Sequence, residues 1–224
     1  MTTGVHYPHR IRLRGPWECE PLASLGGGEL PGRRRMVLPC SWCDGGLPGF
    51  AGTVRFVRRF GYPGRIDDDE RVWLTVQAIE GRARLWLNGQ ALGEARGEDG
   101  AWEAEVTGLL AARNELRVEV TAGTDRGGLI GETALEVRRT AYLRDVRLVV
   151  GAGRRVMGEA VGTAERPLEV YVLEGARTVG YGTVTPRDEG QAFVVTMEGA
   201  TGGGAVRVEL IDGGTVWYAV ELGC

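Results

Sequence analysis

The stretch "RVWLTVQAIEGRARLWLNGQALGEARG", residues 71–97, decides the fold. Apolar residues alternate with polar ones through Val72, Leu74, Val76 and Ala78, and again through Ala83, Leu85 and Leu87. A period of two marks strands with one buried face. Glu80-Gly81 between the runs predicts a hairpin turn, with Leu74 opposite Leu87, Val76 opposite Leu85 and Ala78 opposite Ala83. In that register Trp73 and Trp86 share the other, polar face with Thr75, Gln77 and Arg84, and a one-residue slip would scramble both faces. Asn88-Gly89 predicts a second tight turn of type I′, because both residues tolerate positive φ.

The same alternation continues on either side, in "VRFVRRF" (54–60), "WEAEV" (102–106) and "ELRVEVTA" (115–122). It resumes after a glycine-rich link with "YLRDVRLVV", "LEVYVLEG", "QAFVVTM", "AVRVELI" and "TVWYAVEL". Only "VTGLLAARN" offers a helical turn. Thirty-seven glycines are spread along the chain and punctuate these runs as turns. The expectation is an all-β protein. A boundary near Arg138–Tyr142 divides it into residues 1–139 and 140–224, with "TAYLRDVRLVV" opening the second part. About seven strands in that second part is the number and spacing of an immunoglobulin-like sandwich.

Composition narrows the function classes. With 43% hydrophobic and 25% charged residues and a formal net charge of -3, the 224-residue chain has material for real cores and no basic excess for nucleic acid. No apolar run is long enough to cross a bilayer as a helix. All 27 basic residues are arginine, which reads as genomic base-composition bias. The N-terminus shows no basic region followed by an apolar one, so a cytoplasmic location is expected. Four cysteines in that setting predict reduced thiols.

The order "GPWECE" (15–20), "VLPCSW" (37–42), "GTVRFVRRF" (52–60), residues 71–97 and "WEAEVTGLLAARNELRVEV" (102–120) resembles the N-terminal jelly-roll domain of family 2 glycoside hydrolases. The β-galactosidases, β-glucuronidases and β-mannosidases belong to that family. The resemblance covers residues 11–139; the C-terminal part is similar to the family's immunoglobulin-like second domain, chiefly through "YLRDVRLVV". It implies a galactose-binding-domain-like jelly-roll sandwich followed by an immunoglobulin-like sandwich. In the family these flank a catalytic barrel, which alone needs ~250 residues. Two sandwiches use all 224 residues here, and no residue matches the family's catalytic carboxylates. The chain also departs from the family pattern in "EARGEDGAW", where Ala95 stands at a His, Glu98 at a Gly and Asp99 at an aromatic residue.

The resemblance therefore implies a non-catalytic, carbohydrate-binding-like accessory protein for a β-linked glycan. Its expected contacts are Trp73, Trp86, Arg84, Asn88 and Asp99, because indole faces stack on sugar C–H faces while polar groups bond hydroxyls. Two alternatives stand beside it. One is a structural or interaction protein that buries Trp73 and Trp86 by self-association or against a partner. The other is an accessory fragment that completes a separately encoded partner hydrolase. Trp17, Trp42 and Trp102 are assigned to packing.

Other motifs carry less chemistry. Asn114-Glu115 superficially looks like an acid/base pair, yet Glu115 falls on the solvent side of an alternating strand. Asp67–Glu70 reads as a solvated turn, and Arg33–Arg35 as a loop. No cofactor is expected and no metal, the weak alternative being a zinc set of His6, His9, Cys40 and Cys43, whose histidines are too closely spaced. With Ser24 and Ser41 as its only serines, the chain has no nucleophile elbow.

Overall fold

The computed structural model describes residues 8–151, 153–199 and 205–223. The expectation of an all-β protein holds: strands dominate, joined by turns and two single 3₁₀ turns at Gly97–Asp99 and Thr107–Leu109. The second of these is the helical turn expected in "VTGLLAARN". The chain forms two compact units. One holds Arg10–Ile66 and Val72–Glu136; the other gathers Asp67–Arg71 and the chain from Val137 onward.

The first unit is built from β1 (His9–Arg12), β2 (Trp17–Ser24), β3 (Arg34–Met36), β4 (Cys40–Ser41), β5 (Gly52–Gly61), β6 (Glu70–Val76), β7 (Arg82–Leu87), β8 (Gln90–Arg96), β9 (Trp102–Glu105), β10 (Arg113–Ala122), β11 (Gly128–Leu129) and β12 (Thr133–Arg139). A six-stranded sheet has the order β3-β2-β5-β10-β7-β8, and a four-stranded sheet the order β1-β12-β6-β9. β4 and β11 form a small two-stranded ladder. Period two does the sorting. In β10, Leu116, Val118 and Val120 are fully buried, while Glu115, Arg117 and Glu119 point the other way. Val54, Phe56, Leu85 and Leu87 from the large sheet, with Val72, Leu74 and Val76 from the smaller, are at most 1% exposed and make the sandwich core.

The hairpin expected at Glu80-Gly81 is not formed. β6 pairs with β9 in one sheet and β7 pairs with β10 and β8 in the other, so the chain arches between sheets. Leu74, Val76, Leu85 and Leu87 are buried as anticipated, as members of two sheets and not as cross-strand partners. Alternation fixes which side chains go inward; it does not say whether consecutive strands pair laterally or lie in opposite layers. The Asn88-Gly89 turn does form, with φ of 52° and 83° and Leu87 opposite Gln90.

Trp17 and Trp42 are core residues with no exposure, and each indole N–H is satisfied by a carbonyl, of Leu13 at 2.6 Å and of Phe50 at 2.9 Å. Trp102 is only half-buried, on the short strand β9.

The second unit packs β13 (Ala141–Val150), β14 (Arg154–Gly162) and β17 (Gln191–Thr196) in one sheet. The other sheet has the order β16-β15-β18-β19, from β15 (Leu168–Glu174), β16 (Arg177–Val184), β18 (Val206–Asp212) and β19 (Thr215–Leu222). Val156, Ala160, Phe193 and Val195 from the first close on Leu168, Val170, Val172, Val208 and Leu210 from the second. "TAYLRDVRLVV" is its opening strand β13, bent by a bulge between Arg144 and Arg147, where Asp145 takes a φ of 53°.

Candidate functional site

The arch from β6 to β7 is held from two sides. Glu80 N donates to Gly128 O at 2.9 Å and Gly128 N returns a bond to Glu80 O at 3.1 Å. Gly131 N bonds Ala78 O at 2.9 Å, and Gly97 N bonds Gly81 O at 3.0 Å. Gly97 must be glycine, because a Cβ there would lie 2.2 Å from the carbonyl oxygen of Ile79. These bonds shape an open cleft of ≈ 710 Å³ lined by Ile79, Glu80, Arg82, Arg96, Glu98 and Ile130. A neighbouring hollow of ≈ 370 Å³ shares Glu80 and Ile130 and adds Cys43, Asp125 and Arg126.

Both volumes suit a small ligand. Glu80 and Glu98 offer acceptors, Arg82 and Arg96 offer donors, and Ile130, 42% exposed, offers an apolar contact. That mixture can hold a small polar molecule. Arg96 lies 3.7 Å from Glu98, while Arg82 and Arg84 both bind Glu94, at 2.7 and 3.1 Å. The hydrogen bond and charge of Arg82, with those of Arg84, hold the Glu94 carboxyl below the usual carboxylate range. Burial, then the charge of Asp125, pushes the Cys43 thiol up.

The structure scatters the site residues expected from sequence. Trp73 is on β6 and Trp86 on β7, in different sheets, so the paired indole platform does not exist. Trp86 is half-buried beneath Arg117, whose guanidinium carbon sits 4.2 Å from the ring centroid. Arg84 is turned to Glu94. Asn88 is spent within the fold: Nδ2 donates to Leu109 O at 2.8 Å and to the Asn114 side chain, Oδ1, at 2.9 Å, while Oδ1 accepts Glu115 N at 2.8 Å. Asp99 is exposed in the 3₁₀ turn that carries Glu98 to the cleft. Sequence reading passed over Glu80, Arg82, Arg96 and Ile130. The available signal was the set of glycines around the arch, Gly81, Gly97 and Gly131, which marks close backbone approach.

Remaining motifs resolve into structure. Buried Asn114 bonds both the N–H and the carbonyl of Ala111 at 2.8 Å, and exposed Glu115 pairs with Arg59 at 2.9 Å. The acidic run is more than a solvated turn, because Glu70 is buried, its Oε2 accepting Asp67 N at 2.8 Å, and Asp69 pairs with Arg139. Its backbone satisfaction and cationic partner explain the difference. Cys40 and Cys43 are free thiols. Among the described residues no group of three or more His, Cys, Asp or Glu could hold a metal ion, and His6 lies outside them.

No family model matches the sequence, and no curated protein does. The fold is shared with solved glycosidases. An FMN-binding β-glucuronidase from Facaelibacterium prausnitzii L2-6 superposes with a TM-score of 0.71 and 17% identity, over 97% of this chain and 39% of its own. A Bifidobacterium dentium β-glucuronidase gives 0.73 and 19%, over 98% and 49%. A putative β-galactosidase from Bacteroides fragilis gives 0.73 and 14%, over 96% and 40%. At these identities the shared property is the fold, and the chain spans less than half the length of each.

Proposed function

We propose that this chain is a sugar-recognising pair of sandwiches related to family 2 glycoside hydrolases, a jelly roll followed by an immunoglobulin-like domain, and that it binds carbohydrate without hydrolysing it. The observation that carries the reading is the cleft beside Glu80, Arg82, Arg96, Glu98 and Ile130, with donors, acceptors and an apolar wall on a glycine-braced frame. The near-complete superposition on parts of β-glucuronidases and a β-galactosidase supports the relationship. Hydrolysis would need two carboxylates set across a sugar on a rigid frame, one of them held protonated. Of the two cleft carboxylates Glu98 lies 3.7 Å from Arg96, and on the outer face of the large sheet Glu94, Glu115 and Glu119 are likewise tied to arginines.

Calorimetric titration with a panel of β-linked glycosides tests the reading. Binding heat at millimolar sugar is expected, and Glu80→Ala or Arg96→Ala should weaken it about tenfold, the worth of one charge-assisted hydrogen bond. No heat from any member ends the idea of carbohydrate binding; turnover of a β-glycoside by the purified chain ends that of a non-catalytic protein.

The limited share of each solved enzyme that the chain covers favours a second reading, in which the sandwiches serve a catalytic barrel carried elsewhere. Co-purification with such a barrel, and activity gained on mixing, would distinguish it. The interaction-protein alternative rested on a joint Trp73–Trp86 patch, and the sheet order removes that support.

A further inference from the structure

At the edge of the large sheet, away from the cleft strands β7 and β8, lies a hollow of ≈ 310 Å³ between β2, β3 and β5. Four guanidinium groups, of Arg33, Arg34, Arg35 and Arg55, line it against two carboxylates, of Glu18 and Glu20. The carboxylates are already engaged. Glu18 pairs with Arg59 at 2.9 Å, and Glu20 with Arg33 at 2.5 Å and Arg55 at 3.5 Å. Arg55 also binds Glu119 at 2.9 Å. Among the described residues Arg34 is held by backbone oxygens, those of Gly46 and Gly32, and forms no ion pair. Arg35 is exposed, faces the hollow and forms no ion pair among the described residues.

We propose that this hollow is a binding site for an oxyanion: a carboxylate, sulfate or phosphate group. Guanidinium presents a planar fork of donors that matches such groups in bidentate fashion, and it stays charged at any pH the protein meets. Arg35 is the exposed residue of the three-residue edge strand β3, and Arg34 beside it adds its charge to the lining of the same hollow. The two lining carboxylates are each matched by an arginine, and the buried Cys19 at the back adds no charge, its thiol pushed up to about 12 chiefly by burial. The site is independent of the carbohydrate cleft and fits either a free inorganic anion or the acidic group of a larger ligand such as a sugar acid.

The test titrates the full chain with sodium sulfate, sodium phosphate, methyl glucuronide and neutral methyl glucoside at constant ionic strength, following backbone amide shifts and Tm. Saturable shifts at β2 and β3 with at least one of the three anions are expected. Inorganic anions alone would identify a free-ion site, and the glucuronide alone an acidic-ligand site. Arg35→Ala and the Arg34→Ala/Arg35→Ala double variant should each weaken binding at β2 and β3 about tenfold or more, while Arg113→Ala binds as the wild type. The proposal is overturned by shifts at β2 and β3 that do not saturate, by a glucoside that shifts those amides as well as the glucuronide does, or by an Arg35→Ala variant with unchanged affinity there. Because Arg35 is exposed and unpaired, its replacement leaves the fold in place, which an unchanged Tm without anion verifies.

Discussion

Trp86 is partnered by a cation and not by the second indole expected beside it. Its indole is roofed by Arg117, which comes from the adjacent strand at the directly opposed position. That roof is worth about 0.5–2 kcal/mol, depending on how far the pair is desolvated. Cys19 gives a residue-scale prediction. The folded thiol titrates near 12, against 9.0 for an ordinary thiol. The unfolded chain therefore releases this proton first. Stability should be intact below pH 9 and fall as pH rises toward 12, by about 1.4 kcal/mol per pH unit at most. Urea denaturation at pH 8, 9 and 10 should show the decline flattened in Cys19→Ala, and equal slopes in the two proteins would refute the assignment.

Among the elements, β10 and the β7–β8 hairpin were legible in the sequence because each carries its own instructions. Leu116, Val118 and Val120 alternate with Glu115, Arg117 and Glu119, and Asn88-Gly89 dictates the turn type. The β6–β7 connection was misread for a physical reason. Leu74 and Leu87 are buried whether their strands lie side by side or in facing layers, and Gly81 tolerates either path. The choice between layers is made by distant partners, with Glu80 bonding Gly128 and Gly97 closing on Ile79. The cleft was unreadable for the same reason, since Glu80, Arg96 and Ile130 meet only after that choice. Gly97→Ala should therefore displace the β8 end of the cleft, costing about 1–3 kcal/mol as overpacking and abolishing any glycoside heat. Gly89→Ala has open space but keeps a φ of 83°, so it should cost about 1–2 kcal/mol and leave the cleft untouched. Denaturation and titration of the two variants side by side would separate these outcomes.

On the scale of the whole chain, the second sandwich is discontinuous. It draws in Asp67–Arg71 from the middle of the first, where Asp69 takes Arg139 through its carboxylate and the Thr140 amide through its carbonyl, at 2.9 Å. Asp69→Ala should cost about 1 kcal/mol, as a partly exposed ion pair does. The loss should register as faster hydrogen exchange at Thr140 and along β13, with β10 unchanged; equal acceleration at both would show that the loop serves the first sandwich instead. The borrowed loop also constrains any transplantation of the second sandwich. Exchanging residues 137–224 for an unrelated module would strand Asp69 without its arginine and leave the 67–71 loop without the unit it belongs to.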